Sequence, residues 1–235
     1  MLRDEISAQS DATRIDPART PAEIEARSFT IIDLEIPEPR PFAGELWQVA
    51  RRCVHTLGDV SIVTDLCLSR EALDAGVEAL MRGCNVYADT RMAAAGMPLR
   101  RLTPLGVKVT ALPDVLAGLP EAEESAVARG ATQARAAVEA VAQCVGGQIV
   151  VIGNAPTALL ALLDVLRRGV RPPALIVGMP VGFVNAAQSK ELLRRSPWPH
   201  FTLLGRKGGS AVAASCVNAL AEICLARLAG TPVPA

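Results

Sequence analysis

The stretch Gln148-Ile-Val-Val-Ile152-Gly153-Asn154-Ala-Pro156-Thr157 determines the fold class of this chain. Its unbroken apolar segment is typical of a strand that is buried on both faces of a sheet. Pro156 favours the first turn of a helix, which we expect to run from Ala155 to about Arg168 and to end at Gly169. A buried strand that leads directly into a helix is one unit of an α/β fold.

The same succession of strand and helix recurs along the chain. Short apolar segments that predict further strands lie at 85–88, 107–110, 174–177 and 200–204. Helical periodicity is present at 22–33, around His55, and at 70–81, 120–143, 186–195 and 210–229. We therefore predict an α/β fold with a mostly parallel sheet flanked by helices, in a single domain over residues 21–230. Residues 1–20 are polar and lack periodicity, so we expect a loose N-terminal extension there.

The composition disfavours several classes of protein. Lysine plus arginine and aspartate plus glutamate number 24 each, and aromatic residues make up 3% of the chain. A nucleic-acid-binding protein would need a basic face and stacking rings. No apolar run of about 18 residues and no secretory signal are visible, so we expect a cytoplasmic protein that does not enter a membrane. The six cysteines form no Cys-x-x-Cys motif and no zinc spacing with histidine, so we expect them to be buried apolar residues and expect no metal site.

Loops rich in glycine follow the predicted strands. In an open parallel sheet, ligands bind outside the carboxyl ends of the strands. Gly205-Arg-Lys-Gly-Gly-Ser210 combines two cations, glycines and a helix start, so it could hold carboxylates or phosphates, with Arg206 forming a bidentate contact. It matches neither a P-loop nor a Gly-x-Gly-x-x-Gly fingerprint. A plain strand-to-helix turn with solvated charges is the alternative. Pro156 should likewise leave free N–H groups at the start of its helix.

His55 is a candidate for proton chemistry, because the chain has two histidines in all. It ends an amphipathic run before Gly58, a natural helix stop. A structural histidine that favours the helix C-terminus is the alternative. His200 begins a strand, and we expect it to be structural.

Three further patterns leave alternatives open. Ser28 and His55, with Asp59 or Asp89, could form a hydrolytic triad, but no Gly-x-Ser-x-Gly elbow is present. Asn154 could be a turn residue or helix N-cap instead of a ligand contact. Ser189 and Lys190 are unsuited to a nucleophile pair, because adjacent residues on a helix do not face each other.

Taken together and in order, the loop sequences resemble those of the precorrin-8X/cobalt-precorrin-8 methylmutase family. The resemblance runs from about Glu23 to Leu225, and the two longest blocks are highly specific. The matching segments are Arg27-Ser28-Phe29, Val54-His55, Asp89-Thr-Arg-Met92, Gly153-Asn154-Ala-Pro156-Thr157-Ala-Leu159, Gly178-Met-Pro-Val-Gly-Phe-Val184, Ser189-Lys190, Gly208-Gly-Ser210 and Asn218-Ala-Leu220.

The resemblance implies an isomerase of corrin (vitamin B12) biosynthesis. Such enzymes move a methyl group from carbon 11 to carbon 12 of precorrin-8X or cobalt-precorrin-8, giving hydrogenobyrinate or cobyrinate, and need no redox cofactor. The family's catalytic histidine corresponds to His55, which protonates a ring nitrogen beside the migration site. The resemblance also implies a homodimer with active sites near the subunit interface. The expected contacts to the tetrapyrrole substrate are Ser28, Arg91, Thr132, Gln133, Asn154, Thr157, Gly182, Ser189, Arg206, Gly208, Gly209 and Ser210.

One position departs from the family pattern. Relatives commonly carry a Thr-Arg pair where this chain has Thr132-Gln133. Glutamine keeps a hydrogen-bond donor but lacks the charge of arginine. Arg129 or Arg135 could replace the missing charge. On one continuous helix Arg129 would share a face with Gln133 and Arg135 would not, so Arg129 is the expected substitute. If the helix begins only at Thr132, Arg129 would instead lie on a loop. The departure also keeps a second function open, a tetrapyrrole-binding protein without catalysis.

Overall fold

The computed structural model describes Pro17 and residues 20–231. The predicted extension at 1–20 therefore lies outside the described residues, except for Pro17 and Thr20. The helices of the described part are α1 (Pro21–Glu35), α2 (Glu45–Leu57), α3 (Arg70–Met81), α4 (Arg91–Ala95), α5 (Leu99–Leu102), α6 (Leu112–Ala117), α7 (Pro120–Ala128), α8 (Gln133–Val141), α9 (Pro156–Arg167), α10 (Ala186–Arg194) and α11 (Ser210–Ala229). The strands are β1 (Leu66–Cys67), β2 (Asn85–Ala88), β3 (Lys108–Ala111), β4 (Ile149–Ile152), β5 (Leu175–Gly178) and β6 (His200–Leu203).

The strands form one sheet in the order β1-β6-β5-β4-β2-β3. All neighbouring pairs are parallel except β1 with β6. The prediction of a mostly parallel sheet flanked by helices is thus confirmed. Each residue of β4 is fully buried or nearly so, as its unbroken apolar run predicted.

Alternate residues of β4 supply the two halves of the core. Ile149 and Val151 pack with α2, α3 and α11 on one face of the sheet. Val150 and Ile152 pack with α6, α8 and α9 on the other face. The strand order reverses between β2 and β4, so these two strands flank a topological switch point. Such a point is where ligands bind in open α/β sheets.

The last helix, α11, is the central helix of the first core half. It is long and apolar enough to cross a membrane by length and composition, but 72% of its most apolar window is buried inside the fold. Its closest neighbours are α2 and α3. Burial of this kind is typical of the core helix of a globular domain.

The predictions of one helix bound and of cysteine burial were wrong. The single helix predicted over 120–143 is two helices, because Gly130 adopts a left-handed φ of 65° and the Thr132 side chain caps α8 by accepting from Arg135 N. Not all cysteines are buried: Cys67 is half-buried and Cys144 is exposed, whereas the other four are buried.

Candidate active site

His55 lies in the last turn of α2, which ends at Leu57 because Gly58 adopts a left-handed φ of 61°. The neighbouring residues Cys53 and Val54 are buried against the core, so they fix the rotation of the helix. The His55 side chain is consequently half-buried and directed to the side on which α1 packs.

Two consecutive residues of α1 hold the imidazole. Ser28 Oγ lies 2.7 Å from His55 Nδ1, a short hydrogen bond. The ring of Phe29 meets the imidazole edge to face, with centroids 5.5 Å apart and planes at 72°. Both contacts depend on where α1 begins. That start is set by a capping box between Thr20 and Glu23.

Behind this pair lies a network of charged side chains in which the two arginines are buried. The guanidinium groups of Arg51 and Arg52 lie 4.4 and 5.3 Å from the Phe29 ring centroid. Arg52 also pairs with Glu25 at 2.9 Å and with Glu222. Burial raises the pKa of Glu25, but the hydrogen bond and charge of Arg52 outweigh it and lower that pKa overall. The two guanidinium groups therefore hold the Phe29 ring in the orientation in which it contacts His55.

A cavity of about 510 Å³ opens beside His55. This volume falls within the range of about 300–1,000 Å³ that is typical of small-molecule sites. The walls are mostly apolar and a few polar groups converge on them. The cavity is lined by Ile24, Arg27, Ser28, Ile31, Ile32, Glu35, Val54, His55, Gly58 and Val60.

An ion pair connects the end of the His55 helix to the glycine-rich loop 205–209. Lys207 Nζ lies 2.5 Å from Asp59 Oδ2 and 3.1 Å from Ser61 Oγ. The hydrogen bond from Lys207, aided by Ser61, lowers the pKa of Asp59 to about 2. The neighbouring Arg206 is exposed and stacks over Phe183, 5.3 Å from the ring centroid.

The predicted anion cradle at Gly205–Ser210 is partly occupied by the protein itself. The Gly209 N–H donates to Met179 O at 2.9 Å. Ser210 is buried, and its Oγ lies 2.9 Å from Thr90 Oγ1. A Cβ at Gly208 would overlap the Met179 carbonyl oxygen, so only glycine permits this close approach. In the next loop, Gly182 N–H donates to the Arg206 carbonyl at 3.2 Å.

The amides at the start of α9 are not free, contrary to prediction. The buried Asp89 carboxylate accepts from the N–H groups of Gly153, Asn154 and Ala155 at 2.9, 2.8 and 3.0 Å. Burial raises the pKa of Asp89, and the three amides act against that rise. The N-cap of α9 is Ala155, without a side-chain cap. The alternative of Asn154 as N-cap is thus wrong, and its side chain is exposed.

A second cavity, of about 340 Å³, holds other predicted contacts. Gln133 lines it and donates to Glu123 Oε1 at 2.7 Å. Arg91 also lines it and is paired with Asp114 at 2.6 Å. The two cavities have no lining residue in common. The structure therefore does not bring Arg91 and Gln133 together with His55 within one chain.

Three other predicted contacts, and the expected substitute for the missing arginine, lie elsewhere. Thr132 Oγ1 donates to Thr157 Oγ1 at 3.0 Å. Ser189 is fully buried, and its hydroxyl donates to Ala186 O. Arg129 is the C-cap of α7, whereas Gln133 begins α8. The expectation of a shared helical face was therefore wrong, because the break at Gly130 separates the two residues, and the alternative of a helix that begins only after Arg129 is the one observed.

Hydrogen bonds decide the role of His200 and test the candidate triad. His200 Nδ1 lies 2.7 Å from Trp198 O, in agreement with a structural role. Asp59 is held by Lys207, and Asp89 by backbone amides. Neither carboxylate contacts His55, so the described residues do not form a hydrolytic triad.

The expected substrate contacts did not include Phe29, Asp89 or Lys190, although each lies in a segment that resembles the family. Asp89 had a visible signal, because an acidic residue directly follows β2 at the switch point. Phe29 and Lys190 had no signal beyond that resemblance, since the role of each depends on contacts between elements that are distant along the chain.

The chain is similar to known proteins over most of its length. Residues 23–223 match the precorrin-8X methylmutase family (CbiC). The cobalt-precorrin-8 methylmutase of Salmonella typhimurium is 42% identical over 208 residues, covering 85% of this chain and 94% of that protein. The precorrin-8X methylmutase of Pseudomonas aeruginosa is 41% identical, covering 88% and 98%. The solved precorrin-8X methylmutase from Thermus thermophilus has a TM-score of 0.75 at 38% identity, covering 86% and 97%. This chain therefore belongs to the precorrin-8X methylmutase family.

Proposed function

We propose that this protein is an isomerase of corrin biosynthesis that moves a methyl group from carbon 11 to carbon 12 of precorrin-8X or cobalt-precorrin-8. The products are hydrogenobyrinate and cobyrinate, respectively. The observation that carries the proposal is the Ser28–His55 pair on the wall of a cavity of about 510 Å³, in a chain of this family. The bond from carbon 11 breaks as the bond to carbon 12 forms, so no atom or electron leaves the substrate. No redox cofactor is required for such a step.

In this proposal His55 is the general acid that protonates a ring nitrogen beside the migration site. Imidazole is suited to proton transfer near neutral pH. Ser28 Oγ bonds to Nδ1 and can accept from Nδ1–H both in the imidazolium and in the neutral ring that remains after Nε2 has given up its proton. The imidazole therefore keeps its position before and after proton transfer. Nε2, which has no hydrogen bond to a described residue, is the nitrogen that delivers the proton.

The rim of the site binds the peripheral carboxylates of the tetrapyrrole. Arg206 is the main cation, because it is exposed and has no ion pair with a described residue. Gly182, Gly208 and Gly209 shape the loops of the rim. Ser189 and Ser210 are buried and support these loops from inside the fold. The second cavity contributes Arg91 and Gln133, and Thr132, Asn154 and Thr157 extend this edge beside it.

A homodimer with active sites near the interface accommodates the separation of the two cavities. One subunit would supply the His55 cavity, and its partner would bring a second binding edge to the same macrocycle. Such an enzyme works in the cytoplasm, together with the other soluble enzymes of the pathway.

Methyl-labelled substrate tests the function directly. Precorrin-8X with ¹³C in the methyl group at carbon 11 is incubated with the protein, and product is followed by its visible spectrum and by ¹³C NMR. We expect the label at carbon 12. A parallel incubation with cobalt-precorrin-8 compares kcat/KM for the two forms. Tight binding of the pigment without transfer of the label would instead establish the non-catalytic binding protein.

A further inference from the structure

The side chain of Lys190, in α10, is fully buried. Its Nζ donates to the carbonyl oxygen of Lys207 at 2.5 Å, and it has no ion pair with a described residue. Removing an amine from water at such depth costs free energy, and one hydrogen bond offsets only part of that cost. Leucine or methionine would fill the same space without that cost.

The surroundings of this amine offer little compensation. Asp65 is the charge that acts on it, and burial nonetheless lowers the pKa of Lys190 to about 8. Ser189, on the same helix, bonds to Ala186 O, and Thr202, on β6, bonds to Gly178 O. The amine is thus committed to a single backbone acceptor.

That acceptor lies at the centre of the loop 205–209. On one side of it, Arg206 stacks on Phe183. The Lys207 side chain reaches Asp59, four residues beyond His55. Gly208 packs so closely on Met179 that a Cβ at this position would overlap the Met179 carbonyl oxygen.

We propose that Lys190 is a positioning residue that fixes the Lys207 carbonyl, and through it places both Arg206 and the Asp59 segment that follows His55. The inference deepens the proposed function and rests on it. Lys190 touches no reacting atom in this role. Its effect is to make the loop rigid before substrate arrives, which lowers the entropic cost of binding.

Lys190→Met tests the proposal, with Lys108→Met as matched control because Lys108 is exposed on β3. We expect the dissociation constant of hydrogenobyrinate to rise about tenfold, the effect of losing one charge-assisted hydrogen bond. KM should rise by more than kcat falls, and Lys190→Arg should restore part of the affinity. A folded Lys190→Met protein that binds product as tightly as wild type overturns the proposal.

Hydrogen exchange in the ligand-free protein keeps this test separate from the function. The Gly209 amide, which binds Met179 O, should exchange about tenfold faster in Lys190→Met, while amides in α3 stay unchanged. Unchanged exchange at Gly209 overturns the proposal even if the enzyme is active. Absence of product binding by the wild type would overturn the proposed function alone. Should Lys190→Met not fold, Lys190→Gln decides by the same measurements, because glutamine is too short to reach the carbonyl.

Discussion

Ser28 and His55 are 27 positions apart in the chain, and their side chains meet at 2.7 Å between Oγ and Nδ1. The contact joins the middle of α1 to the last turn of α2. It leaves the opposite ring nitrogen without a hydrogen bond to a described residue. A proton donor needs this combination of a fixed ring and an available N–H.

Replacing His55 tests the general acid. For His55→Ala we expect conversion to fall by about 10²–10⁴-fold, the usual effect of losing a general acid, while product binding changes little. Single-turnover absorbance and equilibrium titration measure the two quantities. His200→Ala is the matched control, because the His200 ring bonds to the Trp198 carbonyl and does not line the cavity beside His55. Near wild-type turnover by His55→Ala would remove His55 from the mechanism.

Replacing Ser28 tests the support of the ring. A single hydrogen bond contributes about 0.5–1.5 kcal/mol, so kcat of Ser28→Ala should fall about two- to tenfold. The double variant Ser28→Ala/His55→Ala should convert substrate no more slowly than His55→Ala alone, because Ser28 acts through His55. A further loss in the double variant would show that Ser28 has a separate role.

Much of the sheet could be predicted because its central strands are apolar throughout. β2 and α3 have the predicted bounds, the latter because Ser69 caps it by accepting from Ala72 N. β1 could not be predicted, since Leu66 and Cys67 become a strand only by pairing with β6. The break before α8 was also missed, because a left-handed Gly130 within a helix-forming composition gives only a weak local signal.

Less of the site could be derived from local patterns. The sequence predicted that a helix ends at Gly58 and that the glycine-rich loops allow close backbone contacts. It did not predict which residues each loop contacts. The three amides at the start of α9 bind Asp89, a residue more than sixty positions away. Lys190 on an amphipathic helix reads as a solvated charge, and only the packing of α10 under the loop 205–209 buries it.

Arg206 should determine much of the affinity for the polyanionic ring. Losing one charge-assisted contact costs about 1.5–3 kcal/mol, so Arg206→Ala should weaken product binding about tenfold or more. The slope of affinity against salt should also decrease, because fewer charges are screened. Arg82→Ala is the control, since Arg82 is exposed and paired with Glu78 on α3. Unchanged affinity and salt slope in Arg206→Ala would exclude Arg206 from the rim.

Lys190 should also give the protein a pH-dependent stability. Its pKa is about 8 in the fold against a model-compound value of 10.5, so below pH 8 the folded protein bears the full cost of a buried ammonium. Between these values the unfolded chain binds more protons than the folded one, and stability rises with pH. The free energy of unfolding, measured with urea, should therefore increase from pH 7.5 to pH 9.5 by more in wild type than in Lys190→Met. A difference between the two proteins that is constant with pH would refute the shifted pKa.

The last prediction concerns the missing arginine at Gln133. Arg129 cannot replace it on the same helix face and is engaged with Ser125 O and Glu139. Arg129→Ala should therefore change product affinity by less than about twofold. Gln133→Arg alone should also gain little, because the new guanidinium would pair with Glu123, which now accepts from Gln133 at 2.7 Å.

Removing that carboxylate releases the new charge. In Gln133→Arg/Glu123→Gln the guanidinium loses the carboxylate that now holds Gln133, and Asp89, which also lines this cavity, is engaged with three backbone amides. A substrate carboxylate can then bind the guanidinium in the bidentate geometry. We expect product to bind about tenfold more tightly than to wild type, equivalent to about 1.4 kcal/mol. Isothermal titration of the wild type, both single variants and the double variant measures the coupling. Equal affinities in all four proteins would show that the macrocycle does not reach this cavity.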